Sequence, residues 1–247
     1  MKEMQRIHLY GASNLWLSRR AALAGLRARF EGPLEVGLAC GPGRSYGVKA
    51  GNPLVRYLAL RSTELPPDPD LAILTDVGND IAYGQNPGDV LGWIEELTTR
   101  LGRSRKTSLV ITGTPLESLR LIPQWFFPLL RSVLYPSSTI TQERVLKSLE
   151  EITAGVKVLA QQRGYQYLEP DARWYGLDHV HLDRAHYGPC WETWLEQIRP
   201  RQGPLGPWPG WWRTLGMVPA HCWVLGREQR CLGDYSDVLP GMKLIVR

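Results

Sequence analysis

Short apolar runs alternate with longer stretches of helical periodicity over most of the chain. Apolar runs of this length are typical of buried strands, and the predicted strands span 6–12, 33–40, 71–76, 108–112 and 165–168. Between them, apolar residues recur at spacings of three and four, and the predicted helices span 14–30, 87–101, 115–134, 142–162 and 187–198. Strands that alternate with helices predict an α/β domain whose sheet is mainly parallel and covered on both faces.

The helical segment 115–134 contains two prolines, Pro123 and Pro128. Proline has no backbone N–H, and its ring clashes with the preceding helical turn. We therefore expect this helix to be interrupted at both positions.

The character of the sequence changes after the last predicted helix. Residues 203–212 read Gly-Pro-Leu-Gly-Pro-Trp-Pro-Gly-Trp-Trp, which excludes a regular helix, and residues 220–232 and 242–247 predict short antiparallel strands. A unit of fewer than ~50 residues buries too little apolar surface to be stable by itself. We therefore divide the chain into an α/β domain, residues 1–199, and a Pro/Trp-rich loop with a β-hairpin extension packed on it, residues 200–247. The tryptophans of this loop either pack it onto the domain or form a platform for a sugar or lipid; they are Trp208, Trp211 and Trp212.

The composition is that of a protein with a substantial core, since 43% of the 247 residues are hydrophobic and 21% are charged. No apolar run approaches the ~20 residues of a membrane-spanning helix, and the N-terminal segment lacks a signal-peptide pattern. The four cysteines show no C-x-x-C spacing, which favours reduced thiols over disulfides or a zinc site. These features predict a cytoplasmic protein without a membrane span.

The net charge of +5 and the pI near 9.1 raise the question of a nucleic-acid partner. Such a partner requires basic residues concentrated on one face or stripe. Here they are scattered, with short runs only at Arg19-Arg20 and Arg103-Ser-Arg-Lys106. The sequence therefore argues against nucleic-acid binding.

Ser13 lies between the first predicted strand and the first predicted helix. A serine at a helix start often caps the helix through its hydroxyl. The same position offers unpaired backbone N–H groups and the positive end of the helix dipole, which suits a nucleophile whose reaction generates an oxyanion. Both explanations fit Ser13 taken alone.

Further polar or glycine-rich segments follow the other predicted strands. Ligands of open α/β sheets bind outside the carboxyl ends of the strands, so these segments are expected to meet on one rim. The candidate residues at that rim are Ser13, Gly41, Gly43, Asn79, Asp178 and His181.

Taken in order, these segments resemble the SGNH (GDSL-type) hydrolase superfamily. The resemblance covers about residues 6–190 and rests on Gly-Ala-Ser13, the loop Gly41-Pro-Gly-Arg-Ser-Tyr-Gly47, Gly-Asn-Asp80 and Asp178-x-x-His181. It implies a three-layer α/β/α sandwich with a flavodoxin-like sheet. It also implies hydrolysis of small-molecule esters or thioesters without a metal or an organic cofactor.

The resemblance implies a role for each matching residue. Ser13 would be the nucleophile, His181 the general base that takes its proton, and Asp178 the carboxylate that orients the imidazole. The backbone N–H of Ser13 and the side-chain amide of Asn79 would hold the oxyanion together with a loop glycine, for which we favour Gly43 over Gly41. Two residues beside that glycine are possible substrate contacts, namely Arg44 and Tyr46, although both could equally make loop contacts.

Two positions depart from the family pattern. Ala12 stands where the family usually has Asp before the serine, and Val77 stands where it usually has the first glycine of Gly-x-Asn-Asp. Neither change removes a reacting group. They bear on the geometry of the two loops and on the subfamily.

Other functions remain open at this stage. His179, His181, Asp183 and His186 resemble a His-x-His-x-Asp-His metal-binding signature, but position 184 is Arg and the motif comes late in the chain. Asp76 and Asp80 could act as an acid and base pair, although a strand end and a turn explain them more simply. A non-catalytic or acyl-transferring relative that binds an acylated or carbohydrate ligand is the alternative to a hydrolase.

Overall fold

The structure is a computed structural model. It describes residues 3–41, 44–47, 59–103, 107–136, 138–201, 221–224, 227–230, 233–239 and 241–247. Gly43 and the three tryptophans of the 203–212 loop lie outside the described residues.

The described chain alternates strands and helices up to residue 198. The strands are β1 (Gln5–Tyr10), β2 (Leu34–Ala39), β3 (Leu71–Leu74), β4 (Ser108–Thr112), β5 (Gln166–Leu168), β6 (His221–Val224), β7 (Arg227–Arg230), β8 (Gly233–Leu239) and β9 (Met242–Val246). The helices are α1 (Ser13–Arg27), α2 (Pro87–Leu101), α3 (Leu116–Leu119), α4 (Phe127–Leu134), α5 (Gln142–Arg163) and α6 (Tyr187–Ile198).

Seven of these strands form one sheet in the order β5-β4-β3-β1-β2-β9-β8. All neighbouring strands in it are parallel except the β8–β9 pair. The carboxyl ends of β1 and β3 are therefore adjacent, with Tyr10 opposite Leu74. This register brings the segments that follow the two strands, beginning at Gly11 and at Thr75, to the same edge.

Two apolar cores cover the two faces of the sheet. Alternate strand residues such as Ile7 and Leu9 pack against α1 and α6, because successive side chains of a strand point to opposite faces. Tyr10 and Leu74 belong to the other core, which contains residues of α2 and α5. The three-layer α/β/α sandwich with a mainly parallel sheet is confirmed.

The end of the chain joins this sheet. β9 is parallel to β2 on one side and antiparallel to β8 on the other, whereas β6 and β7 form a separate antiparallel pair. The sequence predicts an antiparallel hairpin in this region. It does not predict the parallel pairing of β9 with β2, because an apolar run as short as 242–246 does not indicate which strand it pairs with.

Helix α2 has the predicted bounds, as do α6 and strand β4. In the segment 115–134, the interruption at Pro123 is present between α3 and α4. The expected interruption at Pro128 is wrong, since this proline lies in the first turn of α4. Proline is tolerated there because the N–H it lacks has no partner within the helix.

Within the part of the chain that the structure describes, none of the helices is long and apolar enough to cross a bilayer.

Candidate active site

The first residue of α1 is Ser13, and it follows directly on the carboxyl end of β1. The N-cap residue is Ala12, which has no side chain able to accept a hydrogen bond, and no side chain of the helix itself caps this end. Ser13 is therefore not the helix cap, which was the simpler of its two explanations.

Asp76 performs the capping from the neighbouring strand end. Its Oδ2 accepts hydrogen bonds from Ala12 N at 2.7 Å and from Leu15 N at 3.4 Å. Leu15 N is a donor that an N-cap side chain usually satisfies, and Ala12 N is the donor that an N3 side chain satisfies in a capping box. The Ser13 N–H between them is not taken by this carboxylate. Gly11 is required for this approach, because a Cβ on it would lie 2.9 Å from Asp76 Oδ2.

The backbone of Asp76 is strained. Its φ is +59°, in the left-handed region that Asp and Asn tolerate better than most residues. The turn that begins at Asp76 also leads into Asn79, since Asn79 N donates to the Asp76 carbonyl at 3.2 Å. One residue thus shapes both the helix start and the loop that carries Asn79.

Asp178 and His181 form a hydrogen-bonded pair. His181 Nδ1 lies 2.7 Å from Asp178 Oδ2, and the side chains are 25% and 28% exposed. The other carboxylate oxygen accepts from Val180 N at 3.0 Å and from His181 N at 2.8 Å. Burial alone would raise the pKa of Asp178. The hydrogen bonds from the side chain and backbone of His181 and from Val180, with the charge of His181, lower this pKa below its ordinary value.

An ionised Asp178 fixes the tautomer of the imidazole. A carboxylate only accepts hydrogen bonds, so Nδ1 of His181 must be the protonated nitrogen and Nε2 the one with a lone pair. The loop that holds the pair is itself anchored. His179 has a φ of +56°, and its Nδ1 lies 3.1 Å from Ser118 Oγ on α3.

Asn14 ties the start of α1 to this loop. Its Nδ2 donates to the Val180 carbonyl at 3.1 Å, and its Oδ1 accepts from Leu182 N at 2.8 Å. The residue after Ser13 therefore holds the backbone on both sides of His181. We call these two contacts the Asn14 clamp.

Asn79 is held by two partners that define which way its amide faces. Nδ2 donates to the Arg44 carbonyl at 2.6 Å, and Oδ1 accepts from the Tyr135 hydroxyl at 3.0 Å. The Arg44 carbonyl can only accept, so the amide nitrogen must be on that side. One N–H of this amide is used, which leaves its second N–H for another acceptor.

Tyr135 is the C-cap residue of α4 and acts as a donor to Asn79. Burial raises its pKa well above the ordinary value, and the neighbouring Tyr83 and the carboxylates of Asp76 and Asp178 add to this rise. Its hydroxyl therefore stays protonated, as its hydrogen bond to Asn79 requires.

Arg44 and Tyr46 are fully buried and serve the loop. The guanidinium of Arg44 donates to Thr63 Oγ1 at 3.2 Å, and the hydroxyl of Tyr46 donates to the Thr75 carbonyl at 2.6 Å. This burial speaks against the expected substrate contacts of both side chains. Asp80 accepts from Tyr46 N at 2.9 Å, so it also holds the loop instead of forming an acid and base pair with Asp76.

The expected loop glycine cannot be placed, because Gly43 lies outside the described residues. The alternative, Gly41, is buried at the carboxyl end of β2, and its carbonyl accepts from Arg44 N at 3.2 Å. The choice between the two glycines stays a prediction.

Ser13 and Asn79 line a pocket that is partly open to solvent. The described residues that line it are mostly apolar and come largely from α3, α4 and α5. They include Leu119, Phe127, Leu130, Leu134, Ile140, Val145 and Leu149. His181 is not among the lining residues, although Val180 is.

The predicted site residues are thus brought together in two groups. Ser13 and Asn79 share the pocket, and Asp178 and His181 form the pair beside it. The Asn14 clamp connects the two groups. A hydrogen bond between the Ser13 hydroxyl and His181 is not among the contacts of the described residues; in related chemistries such bonds often tighten only when substrate is bound.

Three of the four residues of the metal-like motif have other partners. His179 contacts Ser118, His181 contacts Asp178, and Asp183 accepts from Ala185 N at 2.8 Å. The fourth, His186, has a buried Nδ1 without a hydrogen-bond partner among the described residues. Among the described residues, no group of three or more His, Cys, Asp or Glu side chains is arranged to hold a metal ion.

Three residues of this site were not predicted from the sequence: Asn14, Asp76 as a cap, and Tyr135. A signal for Asp76 was present in the sequence. Ala12 stands where the family pattern usually has Asp, so a carboxylate is missing there, and another residue could supply it. Tyr135 carried none, since it lies 56 residues from its partner along the chain.

The sheet order and the two helical layers define a three-layer α/β/α fold with a mainly parallel sheet, which is the fold that the resemblance implied. No protein-family model matches the sequence, and no curated protein matches it. Solved structures do match. An aryl esterase from M. smegmatis is 16% identical, with a TM-score of 0.53, over 78% of this chain and 98% of that chain.

Two further solved structures give the same result. A putative arylesterase from Agrobacterium tumefaciens str. C58 is 16% identical over 79% of this chain and 98% of that chain, with a TM-score of 0.53. A carbohydrate acetylesterase family member from Sinorhizobium meliloti is 14% identical over 79% and 99%, with a TM-score of 0.54. At these identities the likeness shows the fold.

Proposed function

We propose that this protein is a serine ester hydrolase that acts through an acyl-enzyme on Ser13. The observation that carries the proposal is the Asn14 clamp. It joins the helix start that presents Ser13 to the loop that presents the Asp178–His181 pair. A nucleophile, a base and the group that orients the base are the parts that acyl transfer needs.

In the first step, the Ser13 hydroxyl attacks the ester carbonyl carbon and His181 Nε2 takes its proton. The imidazolium formed is stabilised by ionised Asp178, which accepts a hydrogen bond from Nδ1–H and is not itself protonated. When the tetrahedral intermediate collapses, the bond to the leaving oxygen breaks and His181 returns the proton to the departing alcohol.

The charge on the carbonyl oxygen requires donors that are already oriented. We assign the Ser13 N–H, which the Asp76 carboxylate does not occupy, and the second N–H of the Asn79 amide. The third donor, the Gly43 N–H, is a prediction from the family pattern.

In the second step, water attacks the acyl-enzyme, with His181 again as the base. The products are a carboxylic acid and regenerated Ser13. The scheme uses no metal or organic cofactor, and its substrate is a small-molecule ester. Names of the similar structures, an aryl esterase and a carbohydrate acetylesterase family member, support ester hydrolysis as the reaction class.

We place this activity in the cytoplasm. The support is the absence of a cysteine pairing pattern in the sequence and the free, buried thiols of Cys40 and Cys190. Burial raises the pKa of Cys40 to about 12, so this thiol stays protonated and unreactive.

The test is hydrolysis of p-nitrophenyl esters by wild type and by Ser13→Ala. We expect the variant to lose at least about 10³-fold in kcat, as for other serine triads, and fluorophosphonate to label wild type at Ser13. Ser132→Ala, which removes an exposed hydroxyl bonded to the Leu129 carbonyl, is the matched control and should keep full activity.

Three other results would contradict the proposal. Equal rates for wild type and Ser13→Ala, without labelling, would favour a protein that only binds its ligand. Transfer of the acyl group to an added alcohol in preference to water would favour an acyltransferase. Activity that a chelator abolishes and Ser13→Ala does not would favour the metal alternative.

A further inference from the structure

The pocket that Ser13 lines is mostly apolar. Its apolar lining includes leucine, isoleucine, valine and phenylalanine side chains from α3, α4, α5 and the segment before α5. We propose that this pocket receives the acyl group of the substrate, and that the enzyme therefore selects esters of apolar acyl chains of several carbons over acetyl esters. This proposal rests on the proposed function.

The pocket has a defined position relative to the reacting groups. Ser13 and Asn79 line it, but His181 does not. The leaving alcohol must depart beside His181, because that imidazole gives it a proton. The half of the ester that extends from Ser13 past Asn79, away from His181, is therefore the acyl half.

Most polar side chains of the pocket form hydrogen bonds within the protein itself. Asn14 holds the 180–182 backbone, Asp76 caps α1, and the Tyr135 hydroxyl is bonded to Asn79. Arg131, the one cation of the described lining, donates from Nη1 to the Ile140 carbonyl at 2.9 Å, and its buried Nε has no hydrogen-bond partner among the described residues. A sugar would need a set of polar partners here, whereas an alkyl chain needs only apolar surface.

Helix α4 forms the wall in a way that allows a matched test. Phe127, Leu130 and Leu134 line the pocket, whereas Leu129 does not and is 58% exposed. Leu129 and Leu130 are the same residue type, adjacent in the chain and about 100° apart around one helix. A tryptophan at Leu130 fills the pocket, and a tryptophan at Leu129 projects to solvent.

The experiment measures kcat/KM of the wild-type protein for p-nitrophenyl acetate, butyrate, hexanoate and octanoate. Burial of one methylene corresponds to about 0.8 kcal/mol, or about fourfold. We expect the hexanoate to exceed the acetate by at least about tenfold in kcat/KM. A second series varies the alcohol at a constant acetyl group, and here we expect no comparable rise.

Leu130→Trp should lower the ratio of octanoate to acetate activity at least about tenfold, while Leu129→Trp should leave the ratio at the wild-type value. The wild-type series needs no variant to fold, and thermal melting establishes that both variants do. A flat or falling acyl series, or a rise only in the alcohol series, overturns the inference while Ser13-dependent hydrolysis persists. The absence of Ser13-dependent hydrolysis from every ester overturns the proposed function instead.

Discussion

The two halves of the candidate site are built from different interactions. The half that we propose carries the chemistry is held by directional hydrogen bonds between segments far apart in the chain, such as those that join Asn14 to Val180 and Leu182. The half that forms the pocket is held by apolar packing of α4 and α5. A hydrogen bond fixes an atom within a few tenths of an ångström, whereas packing fixes a volume.

This difference predicts how each half responds to substitution. Loss of one polar contact in the first half misplaces a reacting group, so the rate falls with a small change in stability. A change of volume in the second half alters which substrate fits.

The largest effect is expected for Asp178→Asn. The amide would place a donor opposite His181 Nδ1, which favours the tautomer with the proton on Nε2, where a base needs a lone pair. We expect kcat to fall about 10³- to 10⁴-fold, with a melting temperature within a few degrees of wild type. Asp171→Asn, at a carboxylate of similar exposure that is bonded to Arg173, is the control and should retain activity. A loss of less than tenfold for Asp178→Asn would remove this residue from the mechanism.

His8 provides the contrast to His181. It lies in β1, is 1% exposed, and neither ring nitrogen has a hydrogen-bond partner among the described residues. Its pKa is lowered from 6.5 to about 4, mainly by burial. The charge of Arg6 lowers this pKa further, and the charge of Glu35 partly offsets the change. Between these values the unfolded chain binds the proton and the folded chain does not, so the free energy of unfolding falls as the pH is lowered from 6.5 to 4.

The expected loss between pH 6.5 and pH 4 is about 3 kcal/mol. His8→Leu should abolish this part of the pH dependence and change stability at pH 7 by less than about 1 kcal/mol, because removal of an unpartnered polar group is nearly neutral. Urea denaturation at both pH values, for wild type and variant, measures the difference. Equal acid sensitivity in the two proteins would show that His8 is not the group that titrates.

Asp76 belongs to the hydrogen-bonded half, yet its removal should affect stability. Asp76→Ala loses the cap of α1, worth about 1 kcal/mol, and places alanine at a left-handed position, at about 1–2 kcal/mol. We expect 2–3 kcal/mol of destabilisation in total by urea denaturation.

Two variants separate these contributions. Asp76→Asn keeps an acceptor oxygen and tolerates the conformation, so it should lose less than about 1 kcal/mol. Asp68→Ala, at an exposed residue with φ +54°, should show the conformational part alone. If Asp76→Ala and Asp68→Ala lose the same amount, Asp76 contributes no cap.

The fold was more predictable than the site. Helices α2 and α6 have the predicted bounds. Their apolar periodicity and the residues at which they begin and end are all local features of the sequence. Pro128 was misjudged because the rule against proline in helices has an exception in the first turn, and the position of that turn depends on packing. The parallel pairing of β9 with β2 depends on contacts more than 200 residues apart along the chain.

Within the candidate site, the sequence indicated those residues whose side-chain type is typical of catalysis, such as a carboxylate close to a histidine. Asp178 and His181 are three residues apart, and their hydrogen bond is local. The burial of Arg44 and Tyr46 could not be predicted, because a charged or phenolic side chain beside a glycine-rich loop is equally common in contact with substrate. Tyr135 and the Asn14 clamp are long-range contacts, which no local pattern records.

The smallest effect, expected for Tyr135→Phe, tests where the two halves meet. Tyr135 ends the wall helix α4, and its hydroxyl orients the amide of Asn79. Loss of the hydroxyl frees the amide to turn while the ring remains in the wall. We expect kcat to fall about tenfold, the equivalent of one hydrogen bond to a positioned donor, with the acyl-chain preference unchanged.

A double-mutant cycle decides whether Tyr135 acts through Asn79. Asn79→Ala alone should lower kcat about 10²- to 10³-fold, and Tyr135→Phe should then have no further effect, since the group it orients is gone. Additive losses, or a Tyr135→Phe variant with an altered acyl-chain preference, would mean that Tyr135 belongs to the packed wall alone. If the two losses are not additive, the packing of α4 also sets the geometry of the proposed oxyanion donor, because a hydroxyl can orient an amide only from a fixed position. The boundary between the two halves then lies at this one hydrogen bond.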